Sequence, residues 1–296
     1  MSKKAVVTEL RQHEKYERLV AATKGLAPLA TAVAHPCDEN SLRGALEAAE
    51  AGMITPILVG SRERILNIAK SHDLNLAGIE IVDVPHSHAA ADKAVELVRG
   101  GQAQLVMKGS LHSDELLGAV AKRDTGLRTG RRISHVFVMD VPTHPTTLFI
   151  TDAAVNIAPD LMAKRDIVQN AIDLYAGLGF GTPKVAILSA VETVNPAIPS
   201  TIEAAALCKM ADRGQITGGE LDGPLAFDNA ISPEAARVKG IKSAVAGWAQ
   251  ILVVPDLEAG NMLAKNLTFL SRADAAGIVL GARVPIVLTS RADNLR

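Results

Sequence analysis

Aromatic residues make up only 3% of this chain, although hydrophobic residues as a whole reach 48%. A core so poor in rings has to be built from Ala, Val, Leu and Ile, a mixture that suits helices packed on parallel strands. Cysteine is scarce too. Cys37 and Cys208 stand far apart and outside any CxxC spacing, which favours a reducing compartment with free thiols and gives no support to metal ligation through sulfur. Neither sign of charge dominates: 31 Lys and Arg face 32 Asp and Glu, so no global field draws the chain to nucleic acid or an anionic membrane. No apolar run approaches the roughly 20 residues of a membrane helix, and the opening MSKKAVVTELRQHEKYERL is too polar for a signal peptide. A soluble, cytoplasmic protein is expected.

The familiar phosphate and metal signatures are missing as well. There is no GxxxxGK[ST], and GLGFGTPK at Gly177 to Lys184 brings its last glycine one place too early for GxGxxG. That segment precedes a strand instead of following one, so a helix C-cap is the better reading. His112, His135 and His144 have no HxxxH spacing, and Asp140, Asp152 and Asp256 form no recognisable cluster. No metal is expected.

What is present is a regular alternation of strands and helices. Helix-period residues from Glu14 to Gly25 lead to the strand LATAVA, and Asn40 and Ser41 can cap the helix that follows. Strands at Thr55 to Val59, Ile79 to Val84 and Gln104 to Met107 are each followed by a helical pattern, the signature of βαβ units and a parallel sheet. RDTGLRTGRR, Arg123 to Arg132, breaks this rhythm and reads as a loop or linker. Two strands then come close together, His135 to Val141 and Thr147 to Thr151, as in a hairpin. Alternation resumes with a long helix over Pro159 to Leu178 and strands near Val185, Ile251 and Gly277. The change of topology suggests two domains, 1–132 plus 284–296 and 133–283.

Several strands end in polar turns: Gly60-Ser61-Arg62, Lys108-Gly109-Ser110, Ser189, Asp256 and Thr289-Ser290-Arg291. Backbone N–H groups at helix starts attract anions, and Ser, Lys and Arg add donors and charge, so converging turns of this kind can hold a polyphosphate. Taken singly, Ser61 and Ser113 also read as ordinary N-caps. Asp222 to Asn229, DGPLAFDN, reads either as a plain turn or as a loop whose Gly lets backbone approach a ligand while Asp228 and Asn229 orient it. The last apolar run, Val284 to Leu288, carries Ser290 and Arg291 to the carboxyl edge of a sheet, where open α/β folds bind ligands. Only RADNLR follows, less than two helical turns, and a longer native chain or a poorly ordered end is expected.

Seven segments in order carry a resemblance: LVMKGSLHSDELLGAV, ISHVFVMD, ITDAAVNIAPDL, VAILSAVETVNPAIPST, ITGGELDGPLAFDNAIS, ILVVPDLEAGNMLAKNL and PIVLTSRAD. From about His13 onward the chain resembles the phosphate acetyltransferase and phosphate butyryltransferase family, in particular the acyltransferase part fused behind an enoyl-CoA hydratase domain in some bacterial proteins. The resemblance implies two α/β domains of the isocitrate/isopropylmalate dehydrogenase-like fold, a mostly parallel sheet, an interdomain cleft and a homodimer. It implies reversible acyl transfer between coenzyme A and inorganic phosphate, with coenzyme A as a substrate and no bound cofactor. The family's Ser-Arg pair maps onto Ser290 and Arg291. Its acidic base lies a few residues further on, where only Asp293 stands nearby. Arg62, Lys108, Arg128, Arg131 and Arg132 are candidate partners for the phosphates of coenzyme A, with Ser110, Asp228 and Asn229 as further substrate-binding candidates. Phe227, Met139 and Leu225 are candidates for an acyl wall. The competing readings are a nicotinamide-dependent dehydrogenase of the same broad fold and a non-catalytic acyl-CoA-sensing domain.

Overall fold

A computed structural model describes residues 14–288 of the chain. From the amino end, helix α1 (Glu14–Ala22) precedes β1 (Leu29–Ala34), α2 (Glu39–Glu50), β2 (Ile54–Gly60), α3 (Arg62–Ser71), β3 (Glu80–Asp83), α4 (Ser87–Arg99), β4 (Leu105–Lys108) and α5 (Ser113–Ala121). Strands β5 (Ser134–Asp140) and β6 (Leu148–Thr151) follow as neighbours in a sheet. Then come α6 (Leu161–Gly177), β7 (Lys184–Leu188), α7 (Pro199–Asp212), β8 (Glu220–Leu225), α8 (Phe227–Ile231), α9 (Pro233–Val238), β9 (Ile251–Val253), α10 (Leu257–Leu270), β10 (Asp274–Leu280) and β11 (Ile286–Val287). The chain is α/β with a mostly parallel sheet.

Two compact units emerge. One contains residues 25–136 and the described residues from Gly277, and the other contains the described residues up to Lys24 together with Phe137–Ala276. The boundaries fall inside β5 and β10. Helix α1, expected in the first domain, therefore belongs with the second. Asp140 on β5 explains why: its Oδ2 accepts from the backbone N–H groups of Lys15 and Tyr16 at 2.9 and 3.0 Å, supplying the acceptor that a helix start needs. Lys15 Nζ lies 2.6 Å from the other oxygen as an ion pair and donates to Val141 O at 3.1 Å. Lys15 and Asp140 are both buried.

In the first unit β2, β1, β4 and β11 run parallel side by side. β3 lies outside β2, and β10 is antiparallel to β11. Central strands covered on both faces read as unbroken apolar runs, and Ala32, Val33 and Ala34 of β1 are fully buried. Edge strand β3, EIVD, leaves both its ends exposed. Val33, Leu42, Ala45, Leu58 and Ile65 make the core between this sheet and its helices. Asp38 caps α2 by accepting from Ser41 N at 2.8 Å, so the cap lies two residues before the expected Asn40.

The second unit has β6, β9, β7 and β8 in parallel order. Its core contains Met139, Leu148, Ile150, Leu188, Leu225 and Leu252. Met139 and Leu225 are thus core residues, which removes them as an acyl wall, while Phe227 packs against that core partly buried. Three of the few aromatic rings, Phe149, Tyr175 and Phe180, gather edge-to-face with centroids 5.1 to 6.4 Å apart. The segment 222–229, read either as a plain turn or as a loop approaching a ligand, is the end of β8 followed by the start of α8. Leu178 and left-handed Gly179 close α6, in keeping with the C-cap reading of the glycine-rich segment.

Candidate active site

Strand order locates the crevice of the first unit. The chain passes from β1 to β2 and β3 on one side and then crosses to β4 on the other side of β1. Such a switch opens a gap between the turns after β1 and β4, the place where open α/β sheets bind ligands. Register puts Ala34 opposite both Val59 and Lys108, so the turns after all three strands rise from one edge. β11 joins them, pairing Val287 with Met107. Ser290, Arg291 and Asp293 follow Leu288 in the chain and lie outside the described residues, as does the expectation about the chain's end.

The turns after β1 and β4 are stitched together. Gly109 N and Ser110 N donate to Ala34 O and His35 O at 2.8 and 2.9 Å. Ser110 Oγ donates to His35 O at 2.8 Å and accepts from Cys37 N at 3.3 Å. These bonds hold His35 at a φ of 58°, a left-handed conformation that few non-glycine residues adopt. A Cβ on Gly109 would stand 2.4 Å from Ala34 O and 2.5 Å from His35 O, so only glycine permits the approach.

Lys108 lies at the end of β4, 5% exposed, and its Nζ donates to Gly109 O at 3.3 Å. A buried ammonium is expensive to keep unless anions or dipoles offset it. Burial, helped by the nearby Arg64 guanidinium, lowers the His35 pKa. Burial raises that of the Cys37 thiol, which argues against a cysteine nucleophile here. Both cysteines are free thiols.

The structure thus brings Lys108 and Ser110 together, with Ser110 committed to backbone. Arg62 is committed elsewhere: its backbone N–H donates to Asp83 Oδ1 at 2.8 Å and its guanidinium to Ile81 O at 2.6 Å, pinning edge strand β3. Ser61 caps α3, whereas the position before α5 is His112 and Ser113 is already helical. Arg131 and Arg132 are exposed. Their segment is tied down at Leu127, which accepts from Arg283 N at 2.8 Å, at Arg128, bridged to Ala282, and at Thr129, whose hydroxyl donates to Gly281 O at 2.6 Å.

Asp228 and Asn229 lie in the other unit, at the carboxyl edge of its sheet, in the short helix α8. Asp228 is exposed. Asn229 is fully buried, and its Nδ2 donates to Glu192 Oε2 at 3.4 Å. Glu192 also meets Lys239 Nζ at 3.2 Å. Sequence reasoning passed over Glu192 and Lys239. The available signal was a lone carboxylate four residues beyond the end of β7. Among the described residues no group of His, Cys, Asp and Glu could hold a metal ion, and no helix there is long and apolar enough to cross a membrane.

A family model described as phosphate acetyl/butaryl transferase matches residues 87–296. The phosphate acetyltransferase of Rhizobium meliloti is 73% identical over 96% of this chain and 90% of its own length. The phosphate butyryltransferase of Clostridium acetobutylicum is 42% identical over 95% and 93%. Among solved structures, a branched-chain phosphotransacylase from Enterococcus faecalis superimposes with a TM-score of 0.77 at 31% identity, covering 90% of this chain and 94% of that one. A 4-hydroxythreonine-4-phosphate dehydrogenase from Burkholderia phymatum reaches a TM-score of 0.52 at 13% identity over 92% of both chains, a likeness of fold alone. The switch-point crevice, the family match from α4 to the last residue and the near full-length relatives agree, and the chain belongs to the phosphate acetyl/butyryl transferase family.

Proposed function

We propose that this chain is a phosphate acetyltransferase that interconverts acetyl-CoA plus phosphate with acetyl phosphate plus coenzyme A. The observation that carries the reading is the 73% identity to a phosphate acetyltransferase over almost the whole chain, against 42% to a butyryltransferase. In support, the first unit has a buried ammonium, Lys108, at its switch point, suited to an anionic substrate.

Thioester and acyl phosphate are both activated, so holding the partners in line supplies much of the rate. Arg291 neutralises the phosphate through a bidentate contact. Ser290 donates to the carbonyl oxygen as it gains charge, an interaction stronger in the transition state than in the ground state. Lys108, Arg131 and Arg132 are the proposed partners of the coenzyme A phosphates, with Arg62 a weaker candidate because its guanidinium already serves β3. Asp293 is one candidate to take the thiol proton. A homodimer in the cytoplasm is the proposed working form, and light scattering on the eluted protein measures its mass.

The test follows free thiol with acetyl-CoA or butyryl-CoA and phosphate. Faster release from acetyl-CoA is expected. Release from butyryl-CoA alone would reassign the acyl group, and no release from any short acyl-CoA would leave the acyl-CoA-sensing reading in its place. The dehydrogenase reading rests on a fold likeness at 13% identity, and reduction of a nicotinamide cofactor would be needed to revive it.

A further inference from the structure

We infer that Arg64 binds the phosphates at the nucleotide end of coenzyme A; this rests on the acyl-transfer reading above. The cations near the carboxyl edge of the first unit's sheet differ in what they already serve. Arg62 donates to Ile81 O, Arg43 to Glu39 Oε1 at 2.8 Å, and Lys108 to Gly109 O. Arg64 is exposed, and its backbone N–H turns to Ser61 Oγ at 3.4 Å. Among the described residues its guanidinium has neither an ion pair nor a hydrogen bond.

Helix stability does not explain an arginine at this position. Ser61 is the N-cap of α3 and Arg64 is its third helical residue, where a capping box places Glu or Gln to accept from the N-cap N–H. Arginine has only donors, and the Ser61 N–H goes to the Cys37 thiol instead. The positive end of the helix dipole also lies here, so a cation is disfavoured. The fold therefore opposes the charge that the sequence supplies.

The start of α3 adjoins the turn after β1. A Cβ on Gly60 would stand 3.3 Å from Cys37 Sγ and 3.5 Å from His35 Cα, and both residues feel the Arg64 charge. His35 also feels Asp38 and Glu115. These carboxylates are bound to local donors, Asp38 to Ser41 N and Oγ at 2.8 and 2.6 Å and Glu115 to the Ser87 hydroxyl. Their charges repel an anion, so a phosphate at this edge depends on Arg64.

Sheet order separates this phosphate from the reacting one. From β11, which Ser290 and Arg291 follow in the chain, the strands β4, β1 and β2 succeed one another. Three strand spacings of ~4.8 Å put the start of α3 about 14 Å from β11, too far to share the phosphate proposed for Arg291. Coenzyme A carries its sulfur at one end and its pyrophosphate and 3′-phosphate at the other. The nucleotide end is thus the part that reaches Arg64, whose planar fork suits two phosphate oxygens.

The experiment titrates coenzyme A and dephospho-coenzyme A, which lacks the 3′-phosphate, into the parent and Arg64→Gln by calorimetry. Thiol consumption from acetyl phosphate is then followed with both and with pantetheine, which lacks the 3′-phosphate and the pyrophosphate. Loss of a hydrogen-bonded charge pair weakens binding by about 10- to 100-fold, and Arg64→Gln is expected to raise Kd and KM for coenzyme A by that factor. The change should fall on KM for coenzyme A rather than on kcat or on KM for acetyl phosphate, and kcat/KM for pantetheine should match that of the parent. A rise for coenzyme A but not for dephospho-coenzyme A assigns the 3′-phosphate to Arg64, and an equal rise for both assigns the pyrophosphate. Arg64→Lys should recover part of the affinity. Because Gln and Glu suit the capping box, Arg64→Gln and Arg64→Glu should melt no lower than the parent, a combination with weakened binding that a structural role does not give. Parent-like Kd for coenzyme A in Arg64→Gln, or an equal loss with pantetheine, would overturn the inference. A parent that binds coenzyme A but transfers no acyl group would sink the functional reading, and calorimetry would still judge Arg64 by the same rule.

Discussion

Replacing Gly109 by alanine tests the stitch between the turns after β1 and β4. The added Cβ would lie 2.4 Å from Ala34 O, 2.5 Å from His35 O and 2.6 Å from the His35 carbonyl carbon. All three are backbone atoms of a fully packed strand end, so no flexible side chain can yield. Moving the turns apart by ~0.7 Å to restore van der Waals contact would stretch the Gly109–Ala34 and Ser110–His35 hydrogen bonds beyond useful length. Two or three lost bonds at roughly 1 kcal/mol each, with about 1–3 kcal/mol of overpacking strain, give a destabilisation of about 4 kcal/mol. For a chain of this size that lowers the melting temperature by about 8–16 °C. The internal control is Gly118→Ala on helix α5, where the Cβ meets nothing within 4 Å and alanine should stabilise by roughly 0.5–1 kcal/mol. Thermal melts of both variants decide the matter. A Gly109→Ala protein melting within 2 or 3 °C (approximately) of the parent would refute the stitch as a rigid element.

Other perturbations bear on the rest of the molecule. Asp140→Ala leaves the buried Lys15 ammonium without its counter-ion, and removing one partner of a buried pair costs about 3–5 kcal/mol; limited proteolysis should then cut at α1 first, and unchanged resistance would show that α1 is held by other contacts. His135 is 2% exposed beside Gly277, where a Cβ would stand 2.6 Å from its Nε2, and burial lowers its pKa from 6.5 to about 4. The folded protein therefore prefers neutral His135. Its contribution is complete above pH 6.5 and is lost as the pH falls towards 4, by about 3 kcal/mol in all; urea midpoints of the parent and His135→Gln across that window measure it, and parallel acid dependence would exclude this residue as the cause. Arg291→Ala should reduce rate at fixed phosphate by orders of magnitude while the melting temperature stays put, and full activity would remove Arg291 from the site.

The succession of elements was legible because local chemistry agreed with the fold at most positions. Short β-branched runs such as Ile54–Gly60 ended in polar turns, and Ser61 capped the helix predicted after it. Lys108 and Ser110 could be singled out as a polar turn after a buried strand for the same reason. The second-unit allegiance of α1 could not be read, since it depends on Asp140, 125 positions from Lys15. Gly223 and Pro224 made β8 look like a loop. An outer strand paired on one side only, with β7, tolerates both residues. The contact between Glu192 and Asn229, 37 positions apart, could not be read either, because the two residues form no spacing motif.

The discontinuous division of the chain also bears on how it is made. Along the described residues a helix of the second unit precedes most of the first, the rest of the second follows, and the first unit resumes only at Gly277. Strand β11, paired directly with β4, is made only after that return. The first unit's nascent sheet must therefore wait through about 140 further residues with one flank of β4 open, and at roughly 5–20 residues per second that interval lasts on the order of ten seconds. An uncovered strand flank is the kind of surface that recruits other chains. A chaperone that shields the β4 flank during synthesis would raise the yield of this protein more than one acting after release.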